Sequence, residues 1–456
     1  MEFHNGKLKN GLRVIMNKSD HQTTTTISVI VNAGSDWETP EINGIAHFIE
    51  HLFFKGTKKR PNQRVLAQEL EKYGSTSNAF TSREMTCYHI KTNPDHLYKI
   101  IEILADVLTN SLYREEDIEM EKKVVINEIH QRNSNQSYLI SKEFYYNFFK
   151  GLPISKPVAG KPDNIKKINR FNVLAFIYKY YRPENMIISI SGNFKSYDSL
   201  KNQLEKYFGG YFHRNYRYDS IAFKRTVESL EKYKTQWLNI LGLINSDLKQ
   251  DKINYHITPK IDSEHTFVLM GFPGYKYTDI QKYKAQFLSM ILGGGMSSRL
   301  FETIRTKYGF VYNIKSYHQA HDYTGVFMIE YSCNHSLKTQ TDILKLIKKE
   351  IDLLKNELIT EKEYNNTIEH MQNTVKMSQE DSYENCLHYG IQFLKNKTSE
   401  IKTYQEIVNE YKKISIQDLK DEANILFDWS KCLITTISPN KIFNENYQKI
   451  FFEHSK

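Results

Sequence analysis

The sequence predicts an α+β protein of two similar tandem domains, each a mostly antiparallel sheet packed with helices. Three observations carry this expectation. The chain has 456 residues, about three times a 150-residue domain, so more than one core is expected. Short apolar runs of strand character bracket longer runs of helical period in the first half, and the same order returns in the second. The spacing also repeats: Ile188 follows Ile27 by 161 residues and Leu433 follows Phe267 by 166, each pair marking the early and the closing strand of its half.

In order along the chain, Asn10-Gly11 reads as a tight turn into a strand carrying Leu12, Val14 and Ile15. A strand is expected over 27–31, helices over 47–54 and 65–73, and a strand over 87–90. Helices over 95–108, 115–130 and 172–180 lead to a last strand over 186–191. The second half opens with a strand over 266–272, then helices over 279–292 and 298–305 and a strand over 325–332. Helices over 339–358 and 361–377 and a strand over 432–438 close it. The domains are therefore drawn as 1–228 and 259–456, joined by a polar, Lys-rich linker over 229–258.

A hydrophobic fraction of 40% excludes a disordered chain. No apolar run reaches the roughly 18 residues a membrane span needs, and the mean hydropathy is −0.58. The net charge is +9, which formally admits an anionic partner. The lysines of Lys345–Lys349 are interleaved with Asp and Glu on expected helices, so solvated helix faces account for the charge, and neither nucleic acid nor membrane is expected as a partner. Gly293-Gly294-Gly295 lacks the GK[ST] ending of a phosphate loop and reads as a turn. The four cysteines form no CxxC pair and are expected to be reduced, structural thiols. The first residues carry neither a signal core nor an Arg-rich transit pattern, so a cytoplasmic, bacterial-type protein is expected.

The strongest chemical signal is His47-Phe48-Ile49-Glu50-His51. On a helix, residues four apart share a face, so His47 and His51 can grip one ion while Glu50 lies beside them. Two neutral imidazoles and a carboxylate would leave one position of a tetrahedral zinc open for water, the arrangement of a catalytic site. Glu50 is the candidate base for that water.

This inverted HxxEH pattern, with Gly34-Ser35-x-x-Glu38 before it and Phe54-Lys55-Gly56-Thr57 after it, resembles the pitrilysin or inverzincin family of zinc metallopeptidases in its small two-domain form. The resemblance implies a third ligand on a long downstream helix. Glu128, 77 residues after His51, matches that ligand, and Glu121, seven residues before it, matches a residue that supports the site by contacting a ligand. The resemblance also implies an edge strand at Asn78-Ala79-Phe80, where substrate lies as an added strand held by the backbone of Ala79 and Phe80 while the Asn78 amide helps the oxyanion. In the second half, Arg305 and Tyr312 match an arginine and a tyrosine, seven residues apart, that reach the substrate carbonyl.

What the resemblance implies as a whole is a zinc endopeptidase, with one Zn2+ per subunit, that hydrolyses unfolded or leader peptides inside a closed clamshell chamber. Because one chain carries both residue sets, a homodimer is expected, in which His47, Glu50, His51 and Glu128 of one subunit work with Arg305 and Tyr312 of the other. A heterodimer with a related chain remains the alternative assembly, and a non-catalytic assembly subunit of the same fold the alternative function. A basic nucleic-acid-binding protein is supported by the charge alone.

Overall fold

The computed structural model describes residues 2–210, 220–244, 254–259, 264–396, 400–439 and 450. In the first half, strands β1 (Glu2–Lys7), β2 (Arg13–Lys18) and β3 (Thr25–Val31) precede helices α1 (Ile45–Leu52) and α2 (Gln63–Lys72). Strands β4 (Thr76–Thr81) and β5 (Thr86–Thr92) follow, then α3 (Leu97–Asn110), α4 (Glu115–Ser134), α5 (Gln136–Phe148), α6 (Pro162–Lys167) and α7 (Arg170–Tyr180). Strand β6 (Met186–Gly192) leads to α8 (Tyr197–Phe208) and α9 (Ile221–Ile244). The second half runs β7 (Asn254–Pro259), β8 (Thr266–Gly274), α10 (Lys282–Gly293), β9 (Val311–Ala320) and β10 (Gly325–Cys333). Helices α11 (Leu337–Asn356), α12 (Glu361–Ser378), α13 (Ser382–Lys395), α14 (Tyr404–Lys412) and α15 (Ile416–Leu426) precede the closing strand β11 (Leu433–Ser438).

The expected repeat is present in the sheets. The first is ordered β1-β2-β6-β3-β5-β4 and the second β7-β11-β8-β10-β9, so among the described residues the second reproduces the first without β1. Each is antiparallel except at one pair, and that pair is equivalent in both: β2 with β6, and β7 with β11. The expected helix over 298–305 is wound differently, with a π-helical stretch at Phe301–Lys307. Of residues 229–258, expected as a linker, the structure places the first part in α9 and the last in β7, and 245–253 lie outside the described residues.

The chain forms two compact units that are not contiguous in sequence: Met1–Gln131, Leu152–Ile240 and Val375–Ile401 make the first, and Arg132–Gly151, Leu241–Thr374 and Lys402–Lys456 the second. Each half of the sequence thus gives one helix to the other half's sheet. In the first unit, one sheet face buries Ile27, Val29 and Val31 in the apolar core with α1, α3 and α7. The opposite face, carrying Thr26 and Ser28, receives α13 through polar contacts. Thr26 Oγ1 meets Ser382 Oγ at 2.9 Å, Ser189 Oγ donates to the Cys386 carbonyl at 2.7 Å, and Arg13 donates to the Phe393 carbonyl at 2.7 Å.

In the second unit, α5 lies so close to the sheet that a Cβ on Gly271 of β8 would stand 2.2 Å from Cζ of Phe144. Phe144 is fully buried and stacked on Phe148 at 5.0 Å, so its ring has little room to turn aside. Gly271→Ala is therefore expected to destabilise the protein by about 1–3 kcal/mol through overpacking. Urea unfolding measures this, and an unchanged midpoint would show that α5 shifts without penalty.

Candidate metal centre

The site is built on a helix of eight residues, too short to be stable by propensity alone. Its inner face buries Ile45, Phe48, Ile49 and Leu52, which commits the helix to the core and turns the histidines the other way. Its N-terminus is held by Glu38, whose carboxylate accepts from Gly44 N at 2.8 Å, Ala46 N at 2.8 Å and Asn43 Nδ2 at 2.7 Å. A carboxylate at that position satisfies two open amides and opposes the positive end of the helix dipole. Gly44, at φ 102°, takes a backbone conformation that a side chain would disfavour. Burial pushes the Glu38 carboxyl up to about 7, against the ammonium of Lys156 and the three donors.

His47 and His51 project from one face of α1, their ring centroids 4.7 Å apart. Helix α4 brings two carboxylates to them from the same side, because Glu121 and Glu128 are two turns apart. Among the described residues, one group of donors is close enough to share an ion: His47, His51 and Glu128, with ligand atoms all within 4.8 Å of one another. Glu128 Oε2 lies 3.6 Å from His47 Nε2 and 3.4 Å from His51 Nε2. Ligands bonded to zinc at about 2.0–2.2 Å and tetrahedral angles stand about 3.4 Å apart, so the donor set fits that ion.

Glu121 takes a different part. Its Oε1 sits 2.8 Å from His51 Nδ1, leaving Nε2 turned to Glu128, and its Oε2 pairs with Lys55 at 2.5 Å. A carboxylate on the far nitrogen of a ligating imidazole fixes the ring and raises its basicity. Burial pulls the His51 imidazole down, but its bonds to Glu121 and Glu128 outweigh that and push it up to about 9. An anionic field that draws a proton to His51 also favours a divalent cation.

A cleft of about 430 Å³ opens beside these residues. Its lining includes the polar Glu50 and His51 and the apolar Phe54, Leu66, Leu70 and Ala79.

Comparison with known proteins gives the family. Residues 13–161 match the family described as insulinase (peptidase family M16), and 167–371 match the peptidase M16 inactive domain. A protein of Rickettsia bellii described as an uncharacterized zinc protease is 31% identical over 445 residues, which cover 96% of this chain and 98% of that protein. The chain belongs to the peptidase M16 family. A Bacillus subtilis protein, likewise described as an uncharacterized zinc protease, is 30% identical over 94% of this chain and 97% of its own length. A protease from Helicobacter pylori shares the fold, with a TM-score of 0.83 at 21% identity over 96% of this chain and 99% of that one.

The remaining expected residues of this M16 chain fall as follows. Asn78, Ala79 and Phe80 lie on β4, the outermost strand of the first sheet, and Asn78 Oδ1 accepts from the Ala79 amide at 2.9 Å. Arg305 and Tyr312 come together in the second unit, the guanidinium 5.0 Å over the Tyr312 ring and 4.6 Å over Phe301. Tyr312 is 82% exposed. Arg299, six residues before Arg305, donates to both carboxylate oxygens of Glu363, at 2.8 and 3.0 Å.

Sequence reasoning gave no role to Lys55, Glu38 or Thr81. Glu38 and Lys55 lie inside the motif segments quoted for the family resemblance, on either side of α1, whereas Thr81 lies one residue beyond Asn78-Ala79-Phe80 at the end of β4. The four cysteines are free and buried. No helix among the described residues is long and apolar enough to cross a membrane.

Proposed function

We propose that this M16 protein is a zinc endopeptidase that hydrolyses unfolded peptides, leader peptides among them, within a closed chamber. The observation that carries the reading is the convergence of His47, His51 and Glu128, their ligand atoms within 4.8 Å of one another, with Glu50 on the same helix and the cleft beside it. A zinc ion held by those three residues would polarise the scissile carbonyl and bring the pKa of water toward about 7. Glu50 takes the proton of the attacking water and returns it to the leaving amine. Substrate pairs along the outer edge of β4, where main-chain bonds give affinity with little demand on sequence. The Asn78 amide donates to the carbonyl oxygen as charge builds on it.

The assembly proposed is a homodimer in which Arg305 and Tyr312 of one subunit donate to the substrate carbonyl held by the metal-binding half of the other. The unbridged, buried cysteines support a reducing compartment such as the cytoplasm.

The test is metal analysis with cleavage of a quenched unfolded peptide. One zinc per subunit, loss of cleavage with a chelator and recovery with added zinc are expected. Cleavage indifferent to the chelator, or none by the zinc-loaded protein, overturns the reading. Mixing Glu50→Gln with Tyr312→Phe chains is expected to restore activity above either alone, and a mixture no better than its components rejects the shared site.

A further inference from the structure

The Oγ1 hydroxyl of Thr81 donates to Oε2 of Glu50 at 2.6 Å. That length belongs to the charge-assisted class of O–H···O⁻ bonds. A glutamate on a helix has three side-chain torsions to settle, and a base works only when its oxygen is within about 2.6–3.2 Å of the proton it takes. A second group that fixes the carboxylate is therefore useful to the chemistry.

Thr81 is suited to that task by its own support. It ends β4 and pairs with Thr86 of β5, and its β-branched side chain is stiff at χ1. The turn that follows is anchored at several points. Ser82 N donates to the Met85 carbonyl at 2.8 Å, Asp36 N to the Arg83 carbonyl at 2.8 Å, and Arg83 Nε to the Ile154 carbonyl at 2.9 Å. The hydroxyl is thus presented from a fixed frame. The same strand presents Asn78 and Ala79 to the cleft that Glu50 lines.

We infer that Thr81 is a positioning residue, whose hydroxyl holds the Glu50 carboxylate in one orientation toward the cleft and so registers the base with a peptide laid along β4. This rests on the reading of Glu50 as the general base.

The experiment compares zinc-loaded Thr81→Val, which keeps the branched shape without the hydroxyl, with Thr81→Ser, which keeps the hydroxyl. The valine variant is expected to lose about tenfold to a hundredfold in kcat while KM and zinc content stay within about twofold, and the serine variant to recover to within about threefold of the parent. An unchanged kcat in Thr81→Val, a serine variant as impaired as the valine one, or a loss that follows KM or zinc content overturns the inference.

A readout independent of turnover is a double-mutant cycle on thermal unfolding of the metal-free protein with Thr81→Val and Glu50→Ala. Coupling is expected, and additivity overturns the inference. The two readings fail separately. If Glu50→Gln keeps its kcat, the base assignment falls and takes this role with it; if Glu50→Gln loses kcat and Thr81→Val does not, the base stands and Thr81 has no part in it.

Discussion

Glu50→Gln is expected to lower kcat for peptide cleavage by about a thousandfold or more while the protein still binds zinc. The size follows from the chemistry lost: a positioned general base contributes about 10²–10⁴-fold, and the amide that replaces it can neither take the proton from water nor return it to the leaving amine. Zinc content should be unchanged because the donors within 4.8 Å of one another are His47, His51 and Glu128, and the substitution leaves all three in place. Glutamine is nearly isosteric and can still accept from Thr81 Oγ1, so the helix should not shift. Steady-state kinetics beside metal analysis of the same preparation decide the matter. Substantial turnover in a zinc-loaded Glu50→Gln protein would remove Glu50 from the reaction, and loss of zinc would make it a ligand instead.

The second large effect concerns the two glutamates of α4, which the structure places differently although they are chemically alike. Glu128 Oε2 faces both imidazole Nε2 atoms, at 3.6 and 3.4 Å, whereas Glu121 meets His51 on the other ring nitrogen at 2.8 Å. Glu121→Gln is expected to weaken zinc binding by about 10–100-fold, the usual effect of losing a carboxylate behind a ligating histidine. Glu128→Gln should weaken it by more than about a hundredfold, because an anionic ligand is replaced by a neutral one that binds zinc poorly. Competition against a chromophoric chelator measures both constants. Parent-like zinc affinity in Glu128→Gln would exclude it as a ligand, and equal losses in the two variants would show that they share the ion.

The legibility of the fold depended on burial. Strands β3, β5, β6, β8, β10 and β11 have mostly buried residues, so each leaves an apolar run that the sequence displays. Edge strand β9 has buried residues scattered among exposed ones, so it leaves no continuous apolar run for the sequence to display. Helix α13 was illegible as a partner of the first sheet because it docks through hydroxyl, thiol and carbonyl contacts to positions 197 to 358 residues away, which no local pattern records. In the site, His47, Glu50 and His51 could be read from helical spacing alone. Glu128 needed the family resemblance, since periodicity carries no information about which two helices will face each other. Thr81 gave no signal beyond its place in the strand segment, because a threonine in a β-strand is ordinary until its neighbour across space is known.

The exchanged helix α13 also sets an order of events during synthesis. The first unit uses residues up to Ile240 and then needs Val375–Ile401 before its polar sheet face is covered. At the usual rate of about 5–20 residues per second, that interval keeps the face waiting for on the order of ten seconds. A ribosome-bound chain stopped before residue 375 would hold His47, His51 and Glu128 and still present Thr26 and Ser28 of its sheet to the solvent. The nascent chain would therefore complete the packing of its first sheet only after most of the second half had emerged.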